Sequence, residues 1–182
     1  PGIWSSENVD YGAHGSNVAA NLAVDSQGNV MLSYYTWVYK RFNLKTRSSG
    51  SWSPHEVILE SEFVGEFNSL DIDSDGIPHI CYFSNSGTKM KYAQMDNQLW
   101  NIDIINPDGY HEGYQCDLAI GNQNTPYIVY INYHTYQLMT AYRANDAWIS
   151  EPITSIQDGA YCEIDVNSNG ETQIVYSDQG II

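Results

Sequence analysis

Basic residues are scarce in this chain: seven lysines and arginines stand against twenty-two aspartates and glutamates, a formal charge of −15. Such a surface repels phosphate backbones and anionic lipid, so neither nucleic acid nor a membrane is expected as a partner. The acids are scattered along the chain, which is the pattern of a solvated surface. Cysteine is nearly absent. Cys81, Cys116 and Cys162 each lie in a strand-like or apolar stretch, with no CxxC or Cys/His spacing, and read as buried thiols rather than a disulfide framework or a zinc site. No run approaches the roughly 18 apolar residues of a membrane span, and the opening PGIWSSENVD has neither the basic nor the apolar region of a signal peptide. No stretch keeps a helical period, so the chain is expected to be nearly all β. With 182 residues and no shift in composition, one domain over residues 1–182 is expected.

What the chain does have is a repeat. Trp4, Trp52, Trp100 and Trp148 are spaced by 48 residues each time. A second anchor follows: LAVDSQG, LDIDSDG, LAIGNQN and IDVNSNG, centred on Asp25, Asp73, Gly121 and Asn167, and nine residues beyond each stands Tyr34, Tyr82, Tyr130 or Tyr176. Each unit holds four short β-like segments; in the second these are SLDID, PHICYF, KMKYAQM and WNIDII, separated by Gly, Asn, Asp, Ser and Pro. A four-stranded unit of about 40–50 residues that cannot bury both faces alone is the blade of a β-propeller. The anchor turns DSQG, DSDG, GNQN and NSNG share turn formers, but only one keeps two carboxylates, so a hairpin turn is expected there rather than a calcium loop.

The second unit, SLDIDSDGIPHICYF, resembles the SLAxDxxGxPHIxY repeats of sialidase-like, BNR-type β-propellers. The resemblance implies an all-β propeller, and the four copies of a repeat of about 48 residues lead to the expectation of four blades. The tryptophan expected shortly after an SxDxG box in that family is missing here. Sialidases also gather three arginines on the substrate carboxylate near the axis, whereas Arg41, Arg47 and Arg143 of this chain all fall in or beside third strands near the rim.

The fourth unit is short, with eight residues missing where its third strand should be. The expected solution is that the N-terminal strand IWSSENVD completes this last blade and closes the ring, removing an exposed edge. The alternatives are two chains sharing a larger ring, the chain being half of a propeller assembled as a homodimer, or an excerpt of a longer array.

Ligands of propellers favour the face built by loops that join blades and by loops between second and third strands. The third unit places Tyr110, His111, Glu112, Tyr133, His134 and Tyr136 there, and the first adds Trp37 and Tyr39. Aromatic faces beside hydrogen-bonding side chains suit sugars and protein hot spots, which points to a non-catalytic recognition module for a glycan or protein ligand. Alternate positions of the innermost strand also carry Asp71, Asp117, Glu163 and Asp165. Four carboxylates near a central channel raise one another's pKa or recruit a hard cation such as calcium, and a pair of them at the channel mouth is what a glycoside hydrolase or lyase would need. Apart from that calcium, no cofactor is expected. His79 and His55 lie in strand segments and read as structural.

Overall fold

Short runs rich in β-branched and aromatic residues, broken every few residues by Gly, Asn and Asp, favour short antiparallel strands joined by tight turns. The computed structural model describes residues 4–10, 20–36, 39–54, 56–60, 64–84, 88–106, 112–157 and 160–178. They form four antiparallel sheets in chain order. The first contains β1 (Ala20–Val24), β2 (Val30–Thr36), β3 (Arg41–Ser48) and an outer strand broken into β4 (Ser51–Trp52) and β5 (Glu56–Glu60). The second runs β6 (Val64–Ile72), β7 (Pro78–Ser84), β8 (Lys89–Asp96) and β9 (Leu99–Ile104). The third runs β10 (Glu112–Ile120), β11 (Pro126–Asn132), β12 (Gln137–Ala144) and β13 (Ala147–Ser155), and the fourth has only β14 (Tyr161–Val166) and β15 (Thr172–Ser177). A single 3-10 turn, Asn122–Asn124, is the one helical element among the described residues, and none of their helices is long and apolar enough to cross a membrane.

The repeat is a physical register. Leu22 faces Leu32, Leu70 faces Ile80, Leu118 faces Ile128 and Ile164 faces Ile174, so the same position pairs in all four sheets. The anchor turns are built alike as well. The Asp25 side chain accepts the amides of Gln27 and Asn29, Asp73 those of Asp75 and Ile77, and Asn167 those of Asn169 and Glu171. Gly28, Gly76 and Gly170 take φ near +80° in these turns, which a Cβ would resist. Gly121 has no side chain to do the same, and the 3-10 turn replaces the motif there. The DSDG stretch is therefore a turn.

Successive sheets stack face to face. Leu70 packs among Met31, Phe42 and Leu44 of the first sheet, Leu118 among Cys81, Met90 and Tyr92 of the second, and Ile164 among Val129, Ile131 and Leu138 of the third. Each of these aliphatic side chains contributes roughly 1.5–3 kcal/mol on full burial. The inner strands β1, β6, β10 and β14 pack side by side in that order.

Among the described residues the first and last sheets do not pack on each other as neighbouring sheets do. β14 packs against β10, β11 and β15, and no comparable packing joins β14 or β15 to β1. Residues 4–10 form no strand and do not complete the last sheet, contrary to the closure expected from the sequence. They lie instead across the first sheet, where Asp10 accepts the Tyr34 hydroxyl at 2.5 Å, the Val9 carbonyl accepts Lys45 Nζ at 2.6 Å and Glu7 pairs with Arg47 at 3.1 Å. The described residues thus form four sheets stacked in an arc, with no junction between the first and the last among them.

Candidate functional site

The aromatic loop of the third sheet is set by a polar side chain. Asn132 ends β11, and its Oδ1 accepts the amides of His134 and Thr135, each at 3.0 Å, which folds residues 133–136 into a tight turn. Tyr136 sits in that turn at φ +52° and about half exposed, His134 is exposed and Tyr133 is partly buried. Glu112 opens β10 directly opposite Asn132, so its backbone adjoins the same turn. The structure thus gathers Tyr133, His134, Tyr136 and the Glu112 backbone at one end of the third sheet. Tyr39 lies in the equivalent turn of the first sheet, about half exposed, with the Arg41 guanidinium 5.8 Å from its ring centre. These two turns share one end of the stack, separated by the second sheet. Trp37, Tyr110 and His111 lie outside the described residues.

The inner-strand acids have a different environment from the one expected. An inner strand is the free edge of its sheet, so alternate amides point away from their own hairpin and need other acceptors. Asp117 Oδ1 accepts the Ser69 hydroxyl at 2.6 Å and its Oδ2 accepts the Ile164 amide at 2.8 Å; Ser69 Oγ in turn accepts the Leu118 amide at 3.2 Å. Asp71 Oδ1 accepts its neighbour Ile72 N at 2.8 Å, and Oδ2 accepts Ile120 N of the next sheet at 2.7 Å. At the first junction Asn21 donates to the backbone and side chain of Asn68, which also accepts the Ser33 hydroxyl at 2.7 Å. These side chains are struts between sheets. Burial lifts the Asp71 carboxyl above the usual carboxylate range, with the two backbone amides opposing that shift. Glu163 and Asp165 are exposed. Among the described residues no group of three or more His, Cys, Asp and Glu side chains is arranged to hold a metal ion, and the oxygens of Asp71 and Asp117 that would ligate calcium already accept N–H and O–H donors.

A buried relay crosses the second sheet. Asp73 Oδ2 lies 3.1 Å from His79 Nε2, and His79 Nδ1 meets the Tyr92 hydroxyl. Burial holds the imidazole below its usual pKa, so neutral His79 donates from Nε2 to Asp73 and accepts from Tyr92 at Nδ1. All three groups are buried and mutually satisfied, so His79 is structural. Beside Tyr92, a cleft of about 460 Å³ opens along the outer strands, lined by Gln94, Asn101, Asp103 and Arg143. Sequence reading missed it because Arg143 and Asp103 lie in different repeats and meet at 3.5 Å only once the sheets stack. Arg41, Arg47 and Arg143 all sit on third strands, apart from the inner strands.

No family model matches this chain, and no curated protein matches it. Among solved structures it is similar to a fucose lectin from Kordia zhangzhouensis in complex with methyl-fucoside, at 15% identity and a TM-score of 0.53, with 75% of this chain and 100% of the lectin covered. It is also similar to the intramolecular trans-sialidase from Ruminococcus gnavus in complex with oseltamivir carboxylate, at 12% identity and a TM-score of 0.56. That match covers 83% of this chain and spans 36% of the trans-sialidase. At these identities the likeness is one of fold, and it supports a sialidase-like, propeller-type all-β architecture.

Proposed function

We propose that this chain is a non-catalytic glycan-recognition module, its four sheets acting as propeller blades that present aromatic turns at one end. The observation that carries the reading is the Asn132-braced turn, which holds the Tyr136 ring exposed beside His134 and the start of β10. A rigid aromatic face stacks on the C–H surface of a sugar while neighbouring polar groups bond its hydroxyls. Tyr39 supplies a second exposed ring at the same end. Support also comes from the acids: catalysis needs two carboxylates free to exchange protons, and both oxygens of Asp117 are engaged between sheets.

A glycan array probed with the purified chain tests this, followed by calorimetric titration of the sugars that bind, methyl-fucoside included. Tyr136→Ala is expected to weaken binding by about tenfold or more, equivalent to about 1.4 kcal/mol, with the melting temperature little changed because the residue is about half exposed in a surface turn. An array with no reproducible sugar binding would overturn the reading, as would unchanged affinity in a Tyr39→Ala, Tyr136→Ala double variant. Turnover of a chromogenic glycoside that is lost in Glu163→Gln would replace it with glycoside hydrolysis.

A further inference from the structure

The three junctions inside the arc are made by one recurring set of contacts, and the two ends of the arc carry the unmatched halves of that set. Leu22 occupies the position of Leu70, Leu118 and Ile164, which are 5–7% exposed against the preceding sheet, yet Leu22 is 60% exposed. Val24 beside it is 56% exposed. At the other end, Glu163 stands where Asp117 stands one sheet earlier, and Asp165 repeats the pose of Asp71. Asp165 Oδ1 accepts Val166 N at 2.8 Å as Asp71 Oδ1 accepts Ile72 N at 2.8 Å. Asp71 uses its second oxygen to hold the next inner strand, whereas the second oxygen of Asp165 meets no donor among the described residues. Tyr161, Glu163 and Val175 line an apolar groove of about 300 Å³ on this same face.

Residues 4–10 add an independent observation. Arg143 on the third sheet pairs with Asp103 on the outer strand of the second, and Arg47 and Glu7 are the residues two repeats earlier. Arg47 and Glu7 form the same pair, at 3.1 Å. Residues 4–10 therefore lie where the outer strand of a preceding blade would lie, and among the described residues the last sheet is the one with only two strands.

We infer that the two ends are halves of one junction, joined head to tail by a second copy of this chain. In that assembly β14 and β15 of one copy pack on Leu22 and Val24 of the other, Glu163 and Asp165 accept the outer-edge amides of Leu22 and Val24, and residues 4–10 of the second copy become the outer strand of the short blade. The occupant is a second copy because, among the described residues, three formed junctions leave β14 without comparable packing on β1 of its own chain, while both mating faces are present on every chain. Two copies repeating the junction twice close a ring and leave neither face open. This inference does not depend on sugar binding.

Light scattering on the 182-residue chain at tens of micromolar tests it, with a mass of two chains expected. Leu22→Glu and Val175→Glu change exposed side chains, so each variant is expected to keep the wild-type circular dichroism while self-association weakens about tenfold or more. Mixing the two variants pairs an intact head with an intact tail, and restoration of the two-chain mass supports the head-to-tail arrangement. A single-chain mass for the wild type, whether from closure within one chain or from an arc that stays open, overturns it. So does a two-chain species that both substitutions leave untouched.

Discussion

Asp117→Ala is expected to lower the melting temperature by about 6–12 °C, since it costs about 3 kcal/mol and a chain of this size loses roughly 2–4 °C per kcal/mol. The carboxylate joins three partners across the second, third and fourth sheets: the Ser69 hydroxyl, the Ile164 amide and, through Ser69, the Leu118 amide. Alanine leaves the Ile164 amide with no acceptor in a partly buried junction, and an unmatched donor there costs about 1–3 kcal/mol by itself. The sign separates this from a general charge effect. Removing one negative charge from a chain of net charge −15 relieves repulsion and on that ground would stabilise the fold. Asp117→Asn is expected to lose much less, because one amide oxygen can still accept Ile164 N and the Ser69 hydroxyl can turn to accept from the side-chain amide. Thermal melts of the three proteins at one pH check the order.

Gly65→Ala carries the second large effect, a destabilisation of about 2–5 kcal/mol measured by urea unfolding. Gly65 sits where β6 and β7 shift register between Val64 and Asn68, at φ +83°, and its carbonyl accepts Asn68 Nδ2 at 2.9 Å. A Cβ there would lie 2.7 Å from Cγ of Phe42, a fully buried ring packed 5.4 Å from Tyr82. Left-handed backbone costs a residue with a Cβ about 1–2 kcal/mol, and forcing Phe42 aside adds about 1–3 kcal/mol. Phe42→Leu opens the space. In that background the steric part should vanish and the backbone part remain, so Gly65→Ala should cost only about 1–2 kcal/mol.

The repeat was legible in the sequence because stacking demands it. Leu70, Leu118 and Ile164 must each meet the preceding sheet, and Tyr82 and Tyr130 must face Asn68 and Cys116 across their hairpins, so identity at a fixed spacing encodes register. The turn reading of DSDG was legible for the same reason, since four copies showed which residues the turn tolerates. The role of the acids was not. Alternation places Asp71 and Asp117 on one side of an inner strand, but it does not show that the next strand's edge amides arrive within 2.8 Å of them. The hidden signal was that a sheet edge needs acceptors. The placement of residues 4–10 was hidden too, because Glu7 and Arg47 are far apart in sequence and the pair becomes recognisable only beside Asp103 and Arg143. Of the aromatic candidates, Tyr133, His134 and Tyr136 were legible as a loop cluster because Asn132 is a turn former placed just before them.

Residue-resolved amide exchange in the wild type and in Asp117→Ala tests the strut arrangement most directly. Protection is expected at Leu118, Ile120 and Ile164 in the wild type, and in the variant it should fall at Ile164 while Ile120, held by Asp71, keeps it. Rapid exchange at Ile164 in the wild type, or protection there that survives the loss of Asp117, would contradict it.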